Sequence, residues 1–83
     1  MSTTIDIGVD QILLLPNIPA GMNPLVLMHL TYLLRSRNDH EIPPIEVWRE
    51  GGNYRLKDGR HRFMAHVIAG RQTVEAIIVY KTR

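Results

Sequence analysis

The sequence contains no cysteine, and this absence excludes several kinds of chemistry. Disulfide bonds, zinc sites built on thiolates and catalysis by a thiol all need a residue that the chain does not have. Long apolar runs are also missing: stretches such as 12–15 and 76–80 are far shorter than the roughly 20 residues of a membrane-spanning helix. The first residues show no basic segment followed by an apolar one, as a secretory signal would. We therefore expect a soluble, cytoplasmic protein that does not enter a membrane.

Internal repeats and low-complexity tracts are absent too, so the 83 residues are expected to form one domain, 1–83, with a single modest core. The net charge of +2 is small, but its distribution is uneven. Five lysines and arginines lie between Arg55 and Arg71 against one acid, Asp58, whereas residues 39–50 carry four acids and one arginine. A basic stretch of this kind indicates either contact with a polyanion or a solvated surface.

The apolar pattern predicts strands in the first, middle and last parts of the chain. Strict alternation and the turn residues Gly51-Gly52 are typical of a hairpin in the middle of the chain. The continuous apolar run at the end suits a central strand. We predict strands over 5–15 (one strand, or two divided near Asp10), 45–48, 54–57 and 74–80.

Two helices are predicted between these strands. Asn23-Pro24 is a helix-start signal, because asparagine caps and proline lacks a donor that would be unused at the first position. The helix that follows runs to Arg35, and its apolar residues cover more than one face, which indicates either core packing or self-association. The predicted inward face is Val26, Leu30, Leu33 and Leu34, widened by Leu27, Met28 and Tyr32.

The second helix is predicted over 63–69, with Gly70 at the position that glycine favours after a helix. Its expected inward residues are Phe63, Ala65, Val67 and Ile68. The order of elements predicts an α+β domain: one small mixed β-sheet with two main helices.

The segment most suited to chemistry is Asp58-Gly59-Arg60-His61-Arg62, at a strand-to-helix junction, called the 58–62 segment below. Helix N-termini present unpaired N–H groups and partial positive charge, which favour phosphate. Glycine permits close backbone approach, and the arginines add donors for phosphate oxygens. Asp58 has three candidate roles: capping the helix, orienting an arginine or holding a metal ion bound to phosphates. The alternative is an ordinary turn followed by solvated arginines.

The order and spacing of these features resemble the N-terminal ParB domain (ParB-like nuclease domain) of the ParB/sulfiredoxin superfamily. The resemblance covers roughly residues 11–79, including an opening segment from Gln11 to Pro19. The matching residues are Pro44-Ile45-Glu46-Val47, Tyr54-Arg55-Leu56, the 58–62 segment, Ala65, Gly70 and Val74-Glu75-Ala76.

The resemblance implies that Gly59, Arg60, His61 and Arg62 line a nucleotide phosphate pocket, and that the cofactor is a nucleoside triphosphate with magnesium. Arg62 matches an arginine typical of the family and is expected to be the main phosphate ligand. Arg60 stands where ParB partition proteins usually carry glutamate, and where sulfiredoxins carry their catalytic cysteine, so sulfiredoxin activity is excluded. A small domain of this kind is expected to act in DNA transactions, in a phage, plasmid or mobile-element protein.

Two other functions fit the same residues. One is direct DNA binding, in which the basic residues contact backbone phosphates. The other is a small nuclease or phosphotransferase, although no acid cluster suited to two metal ions is visible and no catalytic residue is assigned. The predicted DNA-binding residues outside the 58–62 segment are Arg55, Lys57, Arg71 and Lys81.

Partners and metals complete the expectations. We predict self-association as a homodimer through the helix at 24–36. No metal site is expected from the histidines, which lack ligand spacing. Four acids are candidates for a general base, but charges that keep edge strands from aggregating explain them as well. These acids are Asp39, Glu41, Glu46 and Glu50.

Overall fold

A five-stranded sheet and two α-helices make up the computed structural model of the chain, which describes residues 4–13 and 21–80. The order of elements is the predicted one, and the first extended segment is divided by a 3-10 turn at Val9–Gln11. The predicted strand residues 14–15, most of the following loop and Lys81 lie outside the described residues. The strands are β1 (Thr4–Gly8), β2 (Ile12–Leu13), β3 (Ile45–Glu50), β4 (Asn53–Asp58) and β5 (Thr73–Ile78); the helices are α1 (Pro24–Arg35) and α2 (Arg60–Ile68).

The sheet is mixed, as predicted, with the strand order β1-β5-β3-β4-β2. β1 pairs with β5 and β3 with β4 in antiparallel fashion, whereas β5 pairs with β3 and β2 with β4 in parallel. The hairpin turn falls at Gly51 and Gly52, where it was expected. β5 lies between two strands, which confirms the central position that its apolar sequence indicates.

The core lies between the sheet and α2. Alternate residues of β3 and β5 point to it, and Ile45, Val47 and Ala76 are fully buried. Phe63 of α2 packs against them and is 1% exposed. A second apolar cluster joins the two helices, with Leu34 of α1 and Ala65 of α2 at its centre. The sheet therefore packs against α2, and α2 packs against α1.

The helical faces differ from the prediction by a small rotation. α2 begins at Arg60 rather than at residue 63, and its inward residues are Phe63, Ala65 and His66. Val67 and Ile68 were predicted inside but are 42% and 45% exposed, since they lie on the outer side of this stripe.

On α1, Thr31 and Leu34 are buried, and Leu27, Leu30 and Leu33 are partly buried against the second apolar cluster. Of the four residues predicted to face inward, Leu30, Leu33 and Leu34 pack in this cluster, whereas Val26 is 43% exposed. Neither helix in these ranges has the length and apolarity needed to cross a membrane.

Candidate functional site

Gly59 forms the junction between β4 and α2. Its φ of 104° is in the left-handed region, and it occupies the position just before the helix. A Cβ atom at this position would lie 2.8 Å from Cγ2 of Ile45 and 3.1 Å from Nε of Arg62. Both the backbone conformation and the close packing therefore require glycine here. The start of α2 is held directly against the start of β3.

The first turn of α2 presents amides without helical acceptors. The first helical hydrogen bond is donated by Phe63 N to Gly59 O at 2.8 Å, so the amides of residues 60–62 precede it. Gly59 at the N-cap has no side chain that could cap this end. Arg60, the first residue of α2, is exposed and adds a positive charge. This end of α2 is therefore suited to bind an anion.

Arg62 contacts the protein itself. One guanidinium nitrogen donates to Pro44 O at 2.6 Å and to Pro43 O at 3.4 Å, and another lies 3.3 Å from Asp58 Oδ2. The side chain is 21% exposed. Arg62 thus connects the chain leading into β3 with the end of β4. Asp58 thus pairs with Arg62, the contact that one of its three candidate roles, orienting an arginine, would require.

His61 connects the site to α1. Its Nε2 atom accepts a hydrogen bond from Asn23 N at 2.9 Å, which places the ring proton on Nδ1. The Asn23 side chain caps α1, because Oδ1 accepts from Leu25 N at 2.9 Å and from Val26 N at 3.4 Å. Nothing in the sequence marks this contact, since Asn23 and His61 are far apart in the chain.

The predicted DNA-binding residues lie on different surfaces. Arg55 and Lys57 flank the buried Leu56 on β4, so they point to the sheet face opposite α2. Glu50 accepts from Arg55 at 2.9 Å, and this hydrogen bond raises the pKa of the guanidinium. Lys57 lies 3.2 Å from Glu46. Arg71 follows α2, and its guanidinium donates to a carbonyl of α1.

The acidic candidates are also placed by these contacts. Glu46 lies on a part of β3 that pairs with both β4 and β5, so it is not an edge-strand charge, whereas Glu50 lies beyond the residues of β3 that pair with β5. Glu41 lies in a 3-10 turn before β3. Over 4–13 and 21–80, no group of three histidine or acidic residues is arranged to hold a metal ion.

Comparison with known proteins finds similarity in fold but not in sequence. No protein-family model matches the chain, and no curated protein is similar to it in sequence. Solved structures, in contrast, match almost the whole chain. Sulfiredoxin from Arabidopsis thaliana is 22% identical, with 96% of this chain and 88% of that chain covered and a TM-score of 0.79.

Two further structures have the same fold within longer chains. The C-terminally truncated chromosome-partitioning protein ParB from Caulobacter crescentus, complexed with CTP-gamma-S, is 20% identical and has a TM-score of 0.78. C-terminally truncated SbnI from Staphylococcus aureus is 24% identical, with a TM-score of 0.68. Each match covers 96% of this chain but only 46% and 32% of those chains, respectively. The chain therefore has the ParB/sulfiredoxin fold that its sequence indicates.

Proposed function

We propose that the chain is a nucleotide-binding domain in which the phosphates bind at the N-terminus of α2. The observation that carries the proposal is the start of this helix: amides without helical acceptors follow a left-handed glycine, Gly59, and the exposed Arg60 lies beside them. Oriented N–H groups and a guanidinium are the donors that phosphate oxygens bind. A similar fold in a ParB protein complexed with CTP-gamma-S supports a nucleoside triphosphate as the ligand.

The contacts of the two arginines change their expected importance. Arg62 was expected to be the main ligand, but its guanidinium is engaged by two carbonyls and Asp58. We assign it the role of a positioning residue that holds Gly59 and the helix start in place. Arg60 is the exposed arginine of the 58–62 segment and becomes the main side-chain ligand.

Asp58 fits the part of a magnesium ligand in this proposal. Its side chain is 68% exposed beside the helix start, and one carboxylate oxygen, Oδ2, contacts Arg62. Magnesium is typically bound by one or two carboxylates together with substrate phosphates, so a single acid is sufficient when a nucleotide brings the ion.

We infer that the domain acts in DNA transactions, and the chromosome-partitioning neighbour supports this context. Direct DNA binding is the second candidate, favoured by the basic stretch from Arg55 to Arg71. The acids beside Arg55 and Lys57 reduce the positive charge available on that surface. A nuclease or phosphotransferase activity stays a hypothesis without an assigned catalytic residue.

The test is calorimetric titration of nucleoside triphosphates with magnesium into three variants. Arg60→Ala should weaken binding roughly 10- to 150-fold, the value of one charge-assisted hydrogen bond, without changing the free energy of unfolding. Arg62→Ala should lower the free energy of unfolding by about 1–3 kcal/mol even without a nucleotide, because it leaves carbonyls and Asp58 without their donor.

Arg49→Ala is the matched control. It removes one positive charge from β3, where Arg49 stacks on Tyr54, and should leave nucleotide affinity unchanged. If Arg49→Ala and Arg60→Ala weaken nucleotide binding equally, the affinity comes from general charge attraction and not from a site at α2. An absence of saturable binding for every nucleotide would refute the proposal.

A further inference from the structure

Side chains join α1 and α2 at both ends. The two helices run side by side in the same direction, since their N-termini meet at one end and their C-termini at the other. At the C-terminal ends, Arg35 of α1 donates to Ile68 O at 3.3 Å. Arg71, which follows α2, donates to Leu34 O of α1 at 2.8 Å. Arginine keeps its charge across the physiological pH range, so we expect these contacts not to change with pH.

The N-terminal connection, in contrast, is a hydrogen bond to a histidine. Asn23 N donates to His61 Nε2 at 2.9 Å, so this nitrogen carries a lone pair and the imidazole is neutral. Protonation puts a hydrogen on both ring nitrogens, and two donors would then face each other at this distance. Asn23 is exposed, so water can replace the ring as its acceptor. The bond therefore exists only in the neutral state of His61.

This bond helps to fix the start of α1. Asn23 caps the helix through Oδ1, and its carbonyl accepts the first helical hydrogen bond, from Leu27 N at 3.0 Å. The apolar packing of α1 in the second cluster also begins at Leu27. Loss of the bond to His61 frees the end of α1 that precedes Leu27, while the arginine contacts keep the other end in place.

The elements around His61 carry charged groups of both signs. β3 and β5 present apolar residues to α2, and residues 11–34 include no acid, lysine or arginine. Histidine is the side chain that ordinarily changes its charge between pH 5 and 8, and two others lie on these helices, His29 on α1 and His66 on another face of α2. The charged groups are Asp58, Arg60 and Arg62 in its own segment, and Asp10 in the 3-10 turn that contacts α2.

We propose that the His61–Asn23 hydrogen bond is a pH-dependent connection, which joins the N-terminal ends of the two helices when His61 is neutral and releases them when it is protonated. His61 belongs to the 58–62 segment, so an anion bound there also favours the released state, because negative charge stabilises a protonated imidazole. This second part rests on the proposed function. By reciprocity, such an anion binds more tightly at lower pH.

The test is an NMR titration of the free protein from pH 8 to pH 5 that follows the His61 ring and the Asn23 amide. The amide signal should shift with the same midpoint as the ring, because it loses its acceptor. His61→Gln should keep the amide signal at its pH 8 position throughout, since the glutamine oxygen is a neutral acceptor at the place of Nε2. His29→Gln is the matched control: it removes an exposed imidazole from α1 and should leave the Asn23 titration unchanged.

Repeating the titration with inorganic triphosphate, which carries the phosphates of any nucleoside triphosphate, separates the two parts. A midpoint at higher pH supports the effect of the anion. An unchanged midpoint contradicts an anion at the N-terminus of α2, and with it the proposed phosphate site, but not the pH dependence in the free protein. An Asn23 signal that does not follow the His61 midpoint overturns the inference, and so does an equal pH response in His61→Gln.

Discussion

Gly59 determines where the candidate phosphate site forms, because its conformation turns the chain from β4 into α2 within one residue. Gly59→Ala should lower the free energy of unfolding by about 2–4 kcal/mol, from left-handed strain and the contact with Ile45. Urea denaturation measures this loss. Gly70→Ala is the matched control, since Gly70 is also left-handed, with a φ of 74°, but a Cβ there meets nothing within 4 Å. Similar losses in the two variants would contradict the packing argument.

At the same scale, the strand-to-helix junction could be predicted from the sequence but not the partners of its side chains. An Asp-Gly pair between a strand and a helix is a local signal, and it correctly predicts the junction at Gly59. The contacts of Arg62 with Pro43 and Pro44 exist because β3 pairs with β4, and those of His61 exist because Asn23 lies nearby. Such partners depend on topology, which local patterns do not contain.

At the scale of elements, the Asn23 cap is a local device whose value can be measured. Asn23→Ala should lower the free energy of unfolding by about 1 kcal/mol, because two amides of α1 lose their acceptor. Asn23→Asp should restore most of this loss, since aspartate caps equally well. Urea denaturation of the two variants is the measurement. If aspartate is no better than alanine, the oxygen of Asn23 does not cap the helix in solution.

Element ends were predictable where a residue type acts alone, as at Asn23-Pro24 and in the Gly51-Gly52 turn. Element faces were less so, because the apolar residues of α1 fit two stripes one residue apart. Only the packing of α1 on Ala65 selects the stripe that contains Leu27 rather than Val26. The parallel pairing of β2 with β4 has no sequence signal at all, since two residues suffice to form it.

At the scale of the whole molecule, basic residues lie at both ends of α2. Its N-terminus carries the 58–62 segment, and Arg35 and Arg71 lie where its C-terminus meets that of α1. This arrangement follows from the packing of α2 against the sheet, which positions the residues at both ends of the helix. α1, in turn, is left with only one face covered.

The uncovered face of α1 is the basis for the expected homodimer. Leu25, Met28 and Tyr32 are 75%, 67% and 64% exposed, and Met28 and Tyr32 line a shallow apolar groove of about 470 Å³ beside Ile68. So much apolar surface on one helix is typical of an interaction site. The core of the described residues is also small, so burial between two copies would add to its stability.

We therefore predict that Met28→Glu weakens self-association at least about ten-fold, because a charge replaces a side chain whose burial contributes about 1.5–3 kcal/mol. Sedimentation velocity over a concentration series measures the change. Tyr80→Glu is the control: Tyr80 is 80% exposed but follows β5 and is not part of α1, so the change should leave the dimer intact. A strict monomer at high concentration in the unmodified protein would show that this face is simply solvated, and equal effects of both variants would show that the association does not use α1.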